Sequence, residues 1–291
     1  MGIGKWLLVS WLLVGFAACG SSSATAVPPT SSSIQTVTLQ PTPTLQVTTS
    51  PLPPAMLASP TPTPQTDTDW QPLQQGLERR AIQILDENGR QTEKITLLRI
   101  DSSLFTFKIG YSPGQPKPLA TWQEETGALI VVNGGFFTPE FVATGLIVVD
   151  GQPSGSSYVG FGGMITMAES EVQVRSLLER PYQPTEIHDY ALQAFPMLVL
   201  NGEAAYQTTD FDRARRTAIG VDGNGRILLI LASWGSFTLA EFSSYLAAAD
   251  FGLVNALNLD GGTSTGLILA EPPESIPAFV AVPSVIIIFP N

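Results

Sequence analysis

The chain has 291 residues, a formal net charge of −11 and a pI near 4.5, a balance that argues against a nucleic-acid partner and against a polybasic membrane patch. It carries one cysteine and one histidine, which excludes an internal disulfide and a zinc site built from several histidines. A small anionic ligand stays open, because a local arginine cluster can bind an anion inside an acidic protein.

The N-terminus reads as a targeting segment. Lys5 gives a small positive region, and Trp6 to Ala18 form an apolar stretch of signal-peptide rather than membrane-spanning length. It ends in Phe16-Ala17-Ala18-Cys19-Gly20, which resembles a bacterial lipobox with Phe16 where leucine is usual. The expectation is a signal peptide over 1–18, lipidation at Cys19 and an extracytoplasmic, lipid-anchored place in the cell envelope. An ordinary cleaved signal peptide with a chance cysteine, or an uncleaved anchor, are the alternatives. Ser21 to Asp69 is mostly Ser, Thr and Pro, with no charge before Asp67. Too little apolar area stands there to offset ordering entropy, so 19–69 reads as an extended stalk.

From 70 to 291 the composition is that of one globular domain. Strands are expected at Ile95–Asp101, Leu104–Ile109, Leu129–Val132, Gly145–Val149, Met197–Leu200, Thr217–Val221, Arg226–Leu231, Val254–Leu259, Gly266–Leu269 and Ser284–Phe289. Leu104–Ile109 alternates and so reads as half-exposed. Asp222-Gly-Asn-Gly225 is a hairpin signal; as a calcium loop it lacks the distal glutamate. One helix is expected over Lys117–Thr126 with a stop at Gly127. Another is expected over Leu239–Phe251, opened by a Thr238/Glu241 capping box and closed by Gly252. Many strands and few helices imply an α+β domain on a large mixed or antiparallel sheet.

The chemistry-bearing stretch is Asn258-Leu-Asp260-Gly261-Gly262-Thr-Ser264-Thr265, where an apolar run ends in a carboxylate, two glycines and hydroxyls. Asp-Gly is a common turn signal by itself. A second copy of the arrangement upstream, Leu129-Ile-Val-Val-Asn133-Gly134-Gly135, suggests two walls of one site. Arg213, Arg215 and Arg216 crowd the start of the Thr217–Val221 run. Arg213 and Arg215 read as a surface cluster balanced by Asp210 and Asp212, and Arg216 as the ligand-facing one. No Gly-x-Ser-x-Gly elbow presents a serine, no phosphate-binding loop of the Walker type occurs, and His188 lies in a polar loop. The remaining tools are carboxylates, amides, hydroxyls and arginines.

Three motifs in order, Asn133–Phe137 (NGGFF), Arg215–Ile230 (RRTAIGVDGNGRILLI) and Thr238–Leu269 (TLAEF…ALNLDGGTSTGLIL), resemble the phosphodiester glycosidase family. The resemblance spans Ile95 to Phe289, with Thr263 where the family usually has a third glycine. The family's best-known member, in mammals, removes N-acetylglucosamine from mannose-6-phosphate diesters. The resemblance implies hydrolysis of a sugar-1-phosphate diester, with an oxocarbenium-like transition state needing a carboxylate on the sugar side. It implies Asp260 as nucleophile, base or charge stabiliser, Arg216 holding the departing phosphate, and Asn133 bonding a sugar hydroxyl or N-acetyl group. Gly134, Gly135, Gly261 and Gly262 would turn backbone N–H groups to the ligand, with Ser264 or Thr265 adding hydroxyls. No spacing demands a metal, although a divalent cation suits a carboxylate-lined site. A glycan-binding lipoprotein without turnover, an ordinary glycosidase and a phosphodiesterase are the competing classes. The stretch from Gly151 to Gln193 carries no motif.

Overall fold

In the strand Ile227–Phe237 six successive apolar residues, Ile227 to Ala232, are buried. Side chains alternate along a strand, so burial of all six means that both faces of the sheet are covered. Ile227, Leu229 and Leu231 join one apolar cluster; Leu228, Ile230 and Ala232 join another.

The computed structural model describes residues 65–168 and 171–291. The signal peptide, Cys19 and most of the stalk lie outside the described residues. Gln65–Asp67 pairs antiparallel with Leu77–Leu85, so the folded part begins a few residues ahead of Trp70.

All strand pairings among the described residues are antiparallel, in three sheets. The largest runs, in spatial order, Gln65–Asp67, Leu77–Leu85, Gln91–Ile100, Ile227–Phe237, Ala214–Asp222, Leu253–Asn258, Met197–Leu200 and Glu203–Ala204. A second holds Glu171–Ser176, Gly163–Ala168, Tyr190–Ala194, Ile147–Val149 and Gln152–Ser154. A third holds Glu274–Ile276, Leu267–Leu269, Ile130–Asn133, Ser284–Pro290 and Phe105–Tyr111. The main core lies where the three sheets face one another, with Leu98, Ile219 and Leu257 meeting Phe107, Ile130 and Ile286, and Ile165 and Leu192. Each such buried side chain contributes roughly 1.5–3 kcal/mol.

Two helices cover outer faces. Leu239–Ala248 packs Phe242 and Leu246 on the large sheet, and Leu119–Thr126 packs Leu119 and Trp122 on Val131, Val285 and Ile287. The Thr238/Glu241 capping box forms in both directions. The second helix stops at Ala248 rather than Phe251. Ala249 is extended, and Gly252, at φ +69°, turns the chain into Leu253–Asn258. The first helix starts at Leu119, because Pro118 is extended and Lys117 bridges Val282. Gly127 caps it in the left-handed region, as expected.

Leu77–Leu85 and the strands between Gly163 and Ala194 were not legible in the sequence. In the first, Glu78, Arg79 and Arg80 break the apolar pattern. Each charge is matched in three dimensions: Arg79 by Glu274, Arg80 by Asp67 and Asp250, and Glu78 by Arg99.

Candidate functional site

Four neighbouring strands of the large sheet reach a common edge. Antiparallel pairing puts the start of Ala214–Asp222 beside Phe237, the end of Leu253–Asn258 beside Ala218, and Met197 beside Leu257. The end of Ile130–Asn133 arrives from the third sheet, and the Asp260 N–H donates to the Gly134 carbonyl at 3.1 Å. The two Gly-Gly turns therefore meet.

Asn133 ties them together. It is fully buried, and both ends of its amide are occupied. Nδ2 donates to the Asp260 carbonyl at 2.7 Å, while Oδ1 accepts from Thr217 Oγ1 at 2.9 Å and from the Gly266 N–H at 3.1 Å. Such an amide has no capacity left for a sugar, so Asn133 holds the walls in register instead of reaching out. Thr265 is equally enclosed, with its hydroxyl 3.2 Å from Thr217 Oγ1.

The glycines divide by role. A Cβ on Gly134 would stand 2.4 Å from Ser284 Oγ, and one on Gly261 would stand 2.8 Å from the Arg215 carbonyl. Both are therefore closely packed, and both N–H groups are engaged internally, by the Ser284 carbonyl and by Asp260 Oδ1. Neither N–H is available to a ligand, contrary to the sequence expectation. Gly135 presses on the Gln193 carbonyl. Gly262 opens the single turn Gly262–Ser264 at φ +59°, and a side chain there would meet nothing within 4 Å. The site is open on that side.

Asp260 is partly exposed where the strand ends. Burial pushes its carboxyl above the usual aspartate range, against the lowering effect of the Ser264 hydroxyl and the Gly261 N–H. The buried Ser264 thus supports the carboxylate with its hydroxyl.

The arginines differ from expectation. Arg213 is the surface one, paired through both nitrogens with Glu241. Arg215 is not a surface residue: it and Arg216 are 9% and 8% exposed. Arg215 donates to the Ser233 and Pro277 carbonyls and stacks on Phe279, with its guanidinium carbon 4.4 Å from the ring centroid. Arg216 donates to the Phe237 and Asp212 carbonyls. Neither has a carboxylate partner within salt-bridge distance among the described residues, whereas the buried Arg80 and Arg175 are both ion-paired. Burial lowers both guanidinium pKa values; Glu93 opposes this at Arg215, and Asp210 and Asp212 at Arg216. Two adjacent buried arginines, neither in a salt bridge among the described residues, thus stand at the strand start against which Gly261 packs.

Glu93 went unnoticed in the sequence because it stands in a polar stretch. It is fully buried and accepts from the N–H groups of Trp234 and Ser236 and from the Ser236 hydroxyl at 2.7–2.9 Å, shaping the segment that Arg215 caps. Asp222 is a turn residue, its carboxylate taken by Asn224, Arg226 and the hairpin backbone. His188 is tucked against Glu186 at 3.0 Å. Among the described residues no group of three or more His, Cys, Asp or Glu is disposed to hold a metal ion.

The model of the family described as phosphodiester glycosidase matches residues 126–289. No curated protein matches the sequence significantly. Among solved structures, the zebrafish N-acetylglucosamine-1-phosphodiester alpha-N-acetylglucosaminidase catalytic domain, auto-inhibited by its pro-peptide, superposes with a TM-score of 0.59 at 18% identity, covering 79% of this chain and 89% of that one. A protein of Burkholderia pseudomallei K96243 described as exported gives 0.57 at 12% identity, with 79% and 97% covered. A Synechocystis protein gives 0.53 at 16% identity, with 75% and 62% covered. At these identities the likeness is one of fold.

Proposed function

The chain belongs to the phosphodiester glycosidase family, and from that membership we propose that it hydrolyses a sugar-1-phosphate diester of the N-acetylglucosamine-α-1-phosphate type. The bond broken is the glycosidic C–O bond, and the products are free sugar and a phosphomonoester. The observation that carries this reading is a carboxylate, Asp260, whose Gly261 turn packs on the backbone of Arg215 and Arg216, two buried arginines that form no salt bridge among the described residues.

A phosphomonoester leaves with its charge on oxygen, so a cation can serve where an ordinary glycosidase needs a general acid. Arg215 and Arg216 each use two of a guanidinium's five N–H donors on backbone carbonyls, leaving donors for a phosphate. Asp260 faces the sugar side, as nucleophile or as the base that takes a proton from the attacking water. Its raised pKa suits a proton acceptor working nearer neutral pH. Asn133 acts as a positioning residue, because its amide holds the Asp260 backbone.

The setting belongs to the same proposal. Lipid on Cys19 tethers the domain outside the cytoplasm, where it acts on envelope glycans or exopolysaccharide; the Phe16–Gly20 pattern and the Ser/Thr/Pro stretch support this. Radiolabelled fatty acid should enter the wild-type protein in its host and be absent from Cys19→Ser; equal labelling of both would overturn the anchor.

Catalysis is tested by incubating the purified protein with an N-acetylglucosamine-α-1-phosphate diester beside Asp260→Asn. Release of N-acetylglucosamine by the wild type alone is expected. No release from this or from other sugar-1-phosphate diesters by folded protein would point to a glycan-binding module instead.

A further inference from the structure

The site has two unlike flanks, and the sheet order fixes which is which. Leu253–Asn258, which delivers Asp260, lies between Ala214–Asp222 and Met197–Leu200. On the first side stand Arg215 and Arg216. On the other stands an uncharged aromatic cluster. Phe195, just ahead of Met197, stacks on Phe136 at 4.5 Å, and Tyr158 and Phe161 meet Phe195 edge-on at 5.4 and 5.7 Å. Phe136 follows the Gly134-Gly135 turn that holds Asp260, so the cluster is joined to the carboxylate through consecutive residues.

Phe161 is the outward end of this wall, 48% exposed although aromatic. Its loop is anchored. Gln193, itself 2% exposed, accepts from the Tyr158 N–H at 2.9 Å and donates to Ser157 Oγ at 2.9 Å. Gly162, at φ +80°, lies so near the Ala194 carbonyl that a Cβ would stand 2.7 Å from it. Asn258, 3% exposed, donates through Nδ2 to the Phe195 carbonyl at 2.9 Å and so ties the wall to the strand that delivers Asp260.

We infer that the aromatic wall is the sugar subsite, with the ring's C–H face against Phe161 and Tyr158 and the phosphate on the opposite, arginine flank. The ligand's identity rests on the phosphodiester-glycosidase reading; the division into two flanks rests on the sheet order. Sugars present apolar C–H faces and polar edges together, and aromatic rings match the former. An uncharged flank gives a phosphate nothing, and two arginines outside any salt bridge among the described residues give a neutral sugar little. The wall's outer residues come from the Gly151–Gln193 stretch, which assigns sugar recognition to the part of the chain without a sequence motif.

The test uses two separate probes, N-acetylglucosamine and inorganic phosphate, each titrated by NMR into the wild type, Phe161→Ala and Arg215→Gln. Phe161→Ala should weaken the sugar about tenfold, the scale of one lost aromatic contact, and leave phosphate unchanged. Arg215→Gln should do the converse. The half-exposed position of Phe161 keeps its truncation out of the core, and an unchanged melting temperature checks that. No sugar binding by the wild type, no effect of Phe161→Ala, or an equal loss of both probes would overturn the wall. Sugar release from a diester is scored separately: flank-specific binding without hydrolysis would retire the enzyme reading and keep the subsite, and hydrolysis indifferent to Phe161 would do the reverse.

Discussion

Burial raises the Asp260 carboxyl pKa above the usual aspartate range, and this separates a functional from a structural role. A carboxyl whose pKa is raised by folding stabilises the fold below its unfolded pKa, and that contribution is lost as pH rises through the folded value. Asp260→Asn mimics the neutral form, so at neutral pH it should melt no lower than the wild type while turnover disappears; the stability difference should close on acidification. Because the ionised form is the active one, activity should fall as pH drops through this pKa, with the acid limb above the usual aspartate range. Asn133→Ala should behave oppositely. It strips partners from buried groups, costing roughly 2–4 kcal/mol in denaturant unfolding and lowering activity with it. Arg215→Lys and Arg216→Lys, which keep charge but lose the planar fork, should each lower kcat/KM on the order of 10²-fold without change of fold. Full activity in both would dissolve the phosphate clamp. The meeting of the two Gly-Gly turns was legible because the same arrangement, an apolar run ending in a polar residue and two glycines, occurs at Asn133 and again at Asp260. Arg215 was not. Neighbouring strand residues point to opposite faces, so one of two adjacent arginines is expected outside, but both faces are covered here: Arg215 meets Pro277 and Phe279, and Arg216 the Asp212 and Phe237 carbonyls.

Among the elements, the cap of Leu239–Ala248 is the feature most fully written in the sequence. Thr238 and Glu241 satisfy each other's backbone groups. Thr238→Ala should cost about 1 kcal/mol in urea unfolding and lower sugar release no more than that loss of stability explains, since the helix packs on the face of the sheet away from Asn133 and Thr217. A loss of activity out of proportion to stability would place the helix closer to the chemistry than its packing indicates. The helix's end was less legible, because Gly252 is the residue that turns the chain but the helix has already stopped at Ala248. Apolar runs buried on both faces announce themselves as strands. Gly163–Ala168 and Glu171–Ser176 do so weakly, since two methionines and isolated polar residues blur the period, and their pairing is a long-range fact.

At the scale of the whole molecule, three antiparallel sheets close on one core, and the site sits where strand ends of two of them converge. The boundary between stalk and domain is part of this architecture. Asp67, inside the stretch read as stalk, pairs with the buried Arg80, which lowers its carboxyl pKa. That stabilisation is present above the unfolded aspartate pKa and is lost as pH falls through the lowered one. Asp67→Asn should therefore cost roughly 2 kcal/mol at neutral pH, with Asp250 still on Arg80, and nothing in strong acid. Composition alone marked 65–69 as tether, since a short charged strand is defined by its partner and not by its own residues. The central claim concerns which bond breaks, and hydrolysis of the N-acetylglucosamine-α-1-phosphate diester in ¹⁸O-labelled water reads it directly. Attack at the anomeric carbon should place the label in the released sugar and leave the phosphomonoester unlabelled. Label in the phosphomonoester would mean attack at phosphorus and would contradict a glycosidase built on Asp260.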